Sequence, residues 1–334
     1  PGLIRHYEYD SLLVGSSMCQ NFGLSDLQRE FGGSWIKLTP SGCRPVTARK
    51  VMEMAFAEKP VKRVLMGLDI LGYGDTTNQH KVALPEYIYD DTPWNDYKYL
   101  WNKTIIGEAI PLVFKANRSE RRNLKCKLDA DRMWSWDFED GRRQYGYDAT
   151  VLEDKLRGEF YACKVDQAAK EMMLRNFHQE LLAVIQKHRD VEFLIFTPPY
   201  SAKAWYGVKY KVGDESLAIY LDFKRLALRK LLCEPNVKLF DFQTDRDIVA
   251  NFDNYKDCIH YSPSLGRFLL SQIRQGTHRV TEANLESSVS GLVEIAELRE
   301  HEDVVGRAAG EHVAAGAGID GDAGELALPG EIDH

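Results

Sequence analysis

Five short apolar runs alternate along the chain with longer stretches in which apolar residues recur every three or four positions. The runs are SLLVG (11–15), WIKLT (35–39), VKRVLMGLDI (61–70), VEFLIFT (191–197) and VKLFDF (237–242). A continuous apolar run between turn residues is the pattern of a strand buried on both faces. Between them, RPVTARKVMEMAFAEK (44–59), DQAAKEMMLRNFHQELLAVIQKHR (166–189) and ESLAIYLDFKRLALRKLLC (215–233) carry apolar residues at helical spacing. A further helix is expected from about Asn21, and a last one near Pro263. Alternation of this kind predicts an α/β protein: a three-layer α/β/α sandwich around a five-stranded, mainly parallel sheet.

Residues 71–165 break the rhythm, being too many for a simple connection. They read as an insertion rich in aromatic and turn residues, as in YIYDDTPWNDYKYLWN (87–102) and MWSWDFEDGRRQYGYD (133–148), which predicts a small cap near the C-terminal edge of the sheet. The expected organisation is a main domain over 1–280 containing that cap, a helical segment over 281–305, and an acidic, Gly/Ala-rich flexible tail over 306–334.

Charge narrows the choice of partner. The net charge of -7 is concentrated at the C-terminal end, where residues 281–334 hold 13 acidic residues against 2 Arg. The preceding 280 residues carry 41 basic and 37 acidic groups, with no basic stripe interleaved with aromatics, so nucleic acid is not an expected partner. No apolar stretch reaches the length of a membrane span. The chain starts at Pro1 rather than Met, which leaves room for a removed leader or anchor. Six Cys without a CxxC pair argue against zinc and against a disulfide framework, although Cys126 and Cys163 could pair in an oxidising compartment. Gly15 and Gly23 after the first run form neither GxGxxG nor a P-loop, so no nucleotide cofactor is expected, and no other cofactor is implied.

Candidate chemistry begins where the first strand meets a helix, in YDSLLVGSSMCQNFG (9–23). Ligands bind at that edge of an open α/β sheet. One reading makes Ser16 or Ser17 a helix cap; the other makes Ser17 a nucleophile, which needs a base in reach and a carboxylate to orient that base. Of nine His, His260 alone follows the last strand and precedes the last helix, in DNYKDCIHYSPSLG (253–266), with Asp257 three positions before it.

A GxS turn after the first strand combined with an Asp-x-x-His before the last helix resembles the SGNH/GDSL hydrolase superfamily, with its flavodoxin-like sandwich, over about residues 9–275. The resemblance implies Ser17 as nucleophile, with Asp257 and His260 completing a triad. It also implies an oxyanion hole formed by the N–H groups of Ser17 and of Gly42, in TPSGCRP (39–45), and by an Asn after the third strand. This chain has Asp69 at the Asn position, and an ionised Asp accepts hydrogen bonds rather than donating them. The Gly-Ser-Ser turn is similar to that of membrane-linked acyl-transfer members such as the teichoic-acid D-alanylation protein.

Aromatic residues cluster at the same edge. Tyr200, Trp205 and Tyr206 in FTPPYSAKAWYG (196–207), with Trp94, Trp101, Trp134 and Trp136 of the insertion, are candidates for stacking on sugars or for packing a cap core. Asp69, Tyr200, Trp205 and Tyr261 are therefore expected substrate contacts. The motifs together look like an SGNH-like group associated with bacterial cell-surface polysaccharide loci. That resemblance implies acyl-ester chemistry on a glycan, by an O-acetyltransferase or an O-acetylesterase, outside the cytoplasmic membrane. An N-terminal anchor outside this chain and a membrane protein that donates the acyl group would go with it. The alternative is a non-catalytic glycan-binding or assembly module on the same fold.

Overall fold

A computed structural model describes residues 2–78 and 162–298 and, between them, Tyr87, residues 92–95, residues 97–101 and Ile106. Most of the insertion, with Trp134, Trp136 and Cys126, lies outside the described residues, as does the acidic tail. Residues up to Glu297 group into one unit.

The five apolar runs form five strands: β1 (Ser11–Val14), β2 (Trp35–Leu38), β3 (Arg63–Gly67), β4 (Glu192–Thr197) and β5 (Val237–Asp241). They pair in the order β2-β1-β3-β4-β5, and every pairing is parallel. Leu12, Leu13, Val14, Val64, Leu65, Phe193 and Ile195 are fully buried, as strands covered on both faces require. One further pairing, the antiparallel bridge of Phe240 to Arg279, extends the β5 edge.

Helices cover both faces. Leu24–Phe31 and Pro263–Gln275 pack together, and the close approach of Gly266 to the Phe22 ring lets them do so. The second layer runs through Pro45–Glu58, the segment from Gln167 to Lys187, Asp214–Leu232 and Leu285–Glu297, each packed on the next. Gln167–Phe177 passes through a π turn, His178–Leu182, into Ala183–Lys187.

Three boundaries differ from the sequence expectation. The third strand ends at Gly67, opposite Phe196; Leu68 N makes the last bond to β4, and the buried Leu68 and Ile70 follow the end of the ladder. The helix expected from Asn21 starts at Leu24, since the preceding residues form a separate short turn over Ser17–Cys19. The insertion begins later than residue 71, because Leu71–Gly74 forms a turn whose Leu71 and Tyr73 are buried with the main body.

Candidate active site

The C-terminal ends of β1, β2, β3 and β4 open onto one edge, and the turn after β1 sits there. Gly15 is glycine because the chain folds back on itself: a Cβ there would lie 2.5 Å from Cys19 Sγ, and one at neighbouring Gly67 would lie 2.6 Å from the same sulfur. Of the two hydroxyls that follow, Ser16 takes the capping role, accepting from Met18 N at 3.4 Å. That leaves Ser17, which is only partly buried, to face the rest of the site.

The loop before Pro263–Gln275 delivers His260. It is pinned by a Tyr255–Tyr261 bridge, by Lys256 N donating to His260 O at 3.1 Å, and by Ser262 N donating to Asn254 O at 2.7 Å. Ser201, from the segment after β4, holds the loop by donating from both N and Oγ to Cys258 O. Within the loop, Asp257 Oδ1 accepts from the backbone N–H groups of Ile259 (2.9 Å) and His260 (2.7 Å), while Oδ2 lies 2.7 Å from His260 Nδ1. His260 Nε2 lies 2.8 Å from Ser17 Oγ. With Nδ1–H given to the carboxylate, Nε2 is the acceptor for the Ser17 hydroxyl.

Asp257 is 4% exposed. Burial pushes its carboxyl up, but the charge of His260 and the hydrogen bonds from the His260 ring and the two backbone N–H groups outweigh it, so the net shift is down. An ionised partner is what an imidazole needs if it is to accept a proton.

Gly42 lies at the third position of the turn Pro40–Cys43, closed by Cys43 N donating to Pro40 O at 3.1 Å. Its φ of 63° belongs to the left-handed region, which a type II turn demands there and glycine supplies. Because Cys43 makes the turn's own bond, the Gly42 N–H is left outside it.

The structure gives Asp69 a different place from the expected substrate contact. Its carboxylate accepts from Ser16 Oγ (3.4 Å), from the Tyr200 hydroxyl and from Gly72 N (3.0 Å), so it ties together the segments after β1, β3 and β4. Burial and the neighbouring Asp69 charge push the Tyr200 phenol up, which keeps it a donor. The stacking role expected of Tyr200 and Trp205 is corrected: at 1% and 0% exposure they pack on each other and offer no ring face to a sugar. Tyr261 is likewise buried, tilted against Phe22. Trp94 and Trp101 are exposed.

A cavity of about 20 Å³ adjoins the turn, lined by Gly15, Ser16, Cys43, Met66, Leu68 and Asp69 among others. That space holds about one water molecule.

Two residues escaped the sequence reading. Gln20 closes the Ser17 turn and Asn21 follows it, and their side chains reach the loop after β2 and the Tyr261 carbonyl respectively. Their adjacency to Gly-Ser-Ser was the one local signal; the partners lie 19 or more positions away in sequence.

No family model matches the chain, and no curated protein matches it. Among solved structures, one similar chain is described as "a putative platelet activating factor from Streptococcus pneumonia". It is 12% identical, the match covers 82% of this chain and 86% of that one, and the TM-score is 0.41. A likeness that loose carries no activity across, so the functional reading has to stand on the site itself.

Proposed function

We propose that the protein carries out serine-dependent acyl-ester chemistry on a polysaccharide, as an O-acetyltransferase or O-acetylesterase working through an acyl-enzyme on Ser17. The observation that carries this reading is the unbroken relay from Ser17 Oγ to His260 Nε2 (2.8 Å) and from His260 Nδ1 to Asp257 Oδ2 (2.7 Å). A structural histidine has no need of a partly exposed serine on its second nitrogen.

In the proposed reaction Ser17 Oγ attacks the ester carbonyl as its proton passes to His260 Nε2. Asp257 stabilises the imidazolium, and the N–H groups of Ser17 and Gly42 receive the charge on the carbonyl oxygen. His260 returns the proton to the departing alcohol. A sugar hydroxyl or a water then repeats the sequence and releases Ser17. Asp69, engaged as an acceptor by three donors, acts in this reading as a tie between loops rather than as an oxyanion donor. The resemblance to cell-surface members supports a place outside the cytoplasmic membrane, with an anchor and an acyl-donor protein supplied by other segments or chains.

The second reading, a non-catalytic glycan-binding module, is favoured by one observation: a carboxylate stands where the superfamily has its third oxyanion donor. Intact-mass analysis after exposure to a fluorophosphonate separates the two. A single adduct on the parent, lost in Ser17→Ala and His260→Ala with unchanged circular dichroism, is expected. A folded parent that takes up no adduct would rule out an activated serine and leave the binding module.

A further inference from the structure

We propose that Gln20 is a positioning residue that sets the spacing between the two oxyanion donors, the N–H groups of Ser17 and Gly42. The inference rests on the acyl-enzyme reading above.

The sheet alone does not fix that spacing. The β1–β2 ladder ends at Val14 opposite Leu38, and Ser17 and Gly42 stand three and four residues beyond it, in two loops free of ladder bonds to each other. Gln20 spans the gap. It closes the nucleophile turn by donating its own N–H to Ser17 O at 3.2 Å. Its side-chain amide crosses to the other loop, where the single nitrogen Nε2 donates to Thr39 O at 2.9 Å and to Ser41 Oγ at 3.0 Å. Ser41 is the residue before Gly42. The Gln20 carbonyl accepts from Lys37 Nζ at 3.1 Å, and Lys37 belongs to β2, so the backbone of Gln20 is tied to the strand that leads into the loop its side chain holds. Gln20 is 7% exposed, and its bonds to Thr39 O and from Lys37 are buried, while the bond to Ser41 Oγ lies at the exposed rim of the loop.

The chemistry of the residue matches the task. A primary amide has two N–H donors on one atom, enough to hold two acceptors of one loop without bringing a charge near a developing oxyanion. An oxyanion hole works only if each donor lies within about 2.7–3.1 Å of one oxygen position, and a misplacement of about 1 Å can cost about a hundredfold in rate. Gln20 touches neither substrate nor the reacting atoms in this account; it acts through the two loops that carry the donors.

The test compares the parent with Gln20→Met, which keeps the volume and loses both donors, and with Ser41→Ala, which removes one acceptor and leaves Thr39 O in place. Hydrolysis of p-nitrophenyl acetate is followed across pH, with fluorophosphonate inactivation rates and melting temperatures measured on the same samples. Gln20→Met is expected to lower kcat about tenfold to a hundredfold. KM and the shape of the pH profile stay those of the parent, and the inactivation rate falls by the same factor as kcat. Ser41→Ala shows the same pattern on a smaller scale, and it carries the test alone if Gln20→Met does not fold. A kcat unchanged in the folded variants, or a loss that only follows the fraction unfolded, overturns the role of Gln20 while the acyl-enzyme reading stands. A parent with neither turnover nor adduct overturns both.

Discussion

Among the described residues, two His–Asp pairs have nearly equal lengths. His260 Nδ1 lies 2.7 Å from Asp257 Oδ2, and His278 Nε2 lies 2.8 Å from Asp245 Oδ2. Asp245 caps the short helix Arg246–Val249 and His278 stacks on Phe242, so that pair clips the last helices to the β5 edge. Both aspartates are held below the usual carboxylate range, Asp257 against the opposing effect of burial and Asp245 chiefly by the hydrogen bond to His278. What separates them is the other ring nitrogen. That of His260 meets a hydroxyl at 2.8 Å on a turn at the open sheet edge, whereas that of His278 lies 3.4 Å from its own neighbour, Thr277. A His–Asp pair is a common way to hold an imidazole, and the third group decides whether the imidazole has work to do.

The largest expected effect tests that distinction directly. Ser17→Ala and His260→Ala should each lower esterase turnover about 10⁴-fold or more, and Asp257→Asn should approach the same loss because the ring can then settle in the wrong tautomer. His278→Ala should leave kcat and KM at the parent's values. Steady-state kinetics on the four proteins makes the check, and equal losses in His260→Ala and His278→Ala would dissolve the contrast.

The sequence showed one half of this comparison and concealed the other. Asp257 and His260 are three residues apart, on a loop that the strand-helix rhythm places at the ligand-binding edge, so spacing and topology were both readable. Asp245 and His278 are separated by a helix of the opposite layer, and nothing local to either announces the pairing. The same limit explains Tyr200 and Trp205. Their position after β4 was legible, but their direction was not, because burial depends on what the Asp69 corner and the Leu285–Glu297 helix bring against them. Strand positions survived well since a buried parallel strand declares itself in a short, mostly apolar run, even where a single Lys interrupts it, as in β2 (WIKL) and β5 (VKLFD). Asp69 stands out in the sequence as a departure, whereas its role as a three-donor acceptor depends on neighbours from three segments.

A third ion pair extends the comparison toward full burial. Lys224 Nζ, 0% exposed, lies 2.9 and 3.0 Å from the two carboxylate oxygens of Asp241 and also donates to Ser288 O at 3.0 Å, which joins Asp214–Leu232, β5 and Leu285–Glu297. Burial pushes the Lys224 ammonium down and the Asp241 charge opposes it. Lys224→Met leaves a buried carboxylate without its counter-ion and is expected to lower stability by about 3–5 kcal/mol. Lys224→Met combined with Asp241→Leu should recover much of that loss, since neither charge is then stranded. Urea denaturation of the single and double variants decides it. Equal destabilisation in the two would mean that packing, not the stranded charge, sets the cost.

The smallest effect belongs to the partly exposed pair and shows most clearly against pH. Each aspartate has a folded-state pKa below its unfolded value, so each contributes stability that is fully present above about pH 3.9, the unfolded value, and is lost as pH falls through the folded one. For Asp245 the side chains are 25% and 22% exposed, and water screens the interaction, so His278→Ala should lower stability near neutral pH by no more than about 1 kcal/mol. The same substitution removes the main cause of the Asp245 shift and should flatten part of the acid slope, while the part due to Asp257 stays. Melting temperatures of the parent and His278→Ala between pH 2 and pH 7 should therefore converge toward the acid end. Parallel curves, offset by a constant amount throughout, would mean that the His278 ring stabilises the β5 edge by stacking on Phe242 rather than through Asp245, and the two His–Asp pairs would then differ in kind as well as in exposure.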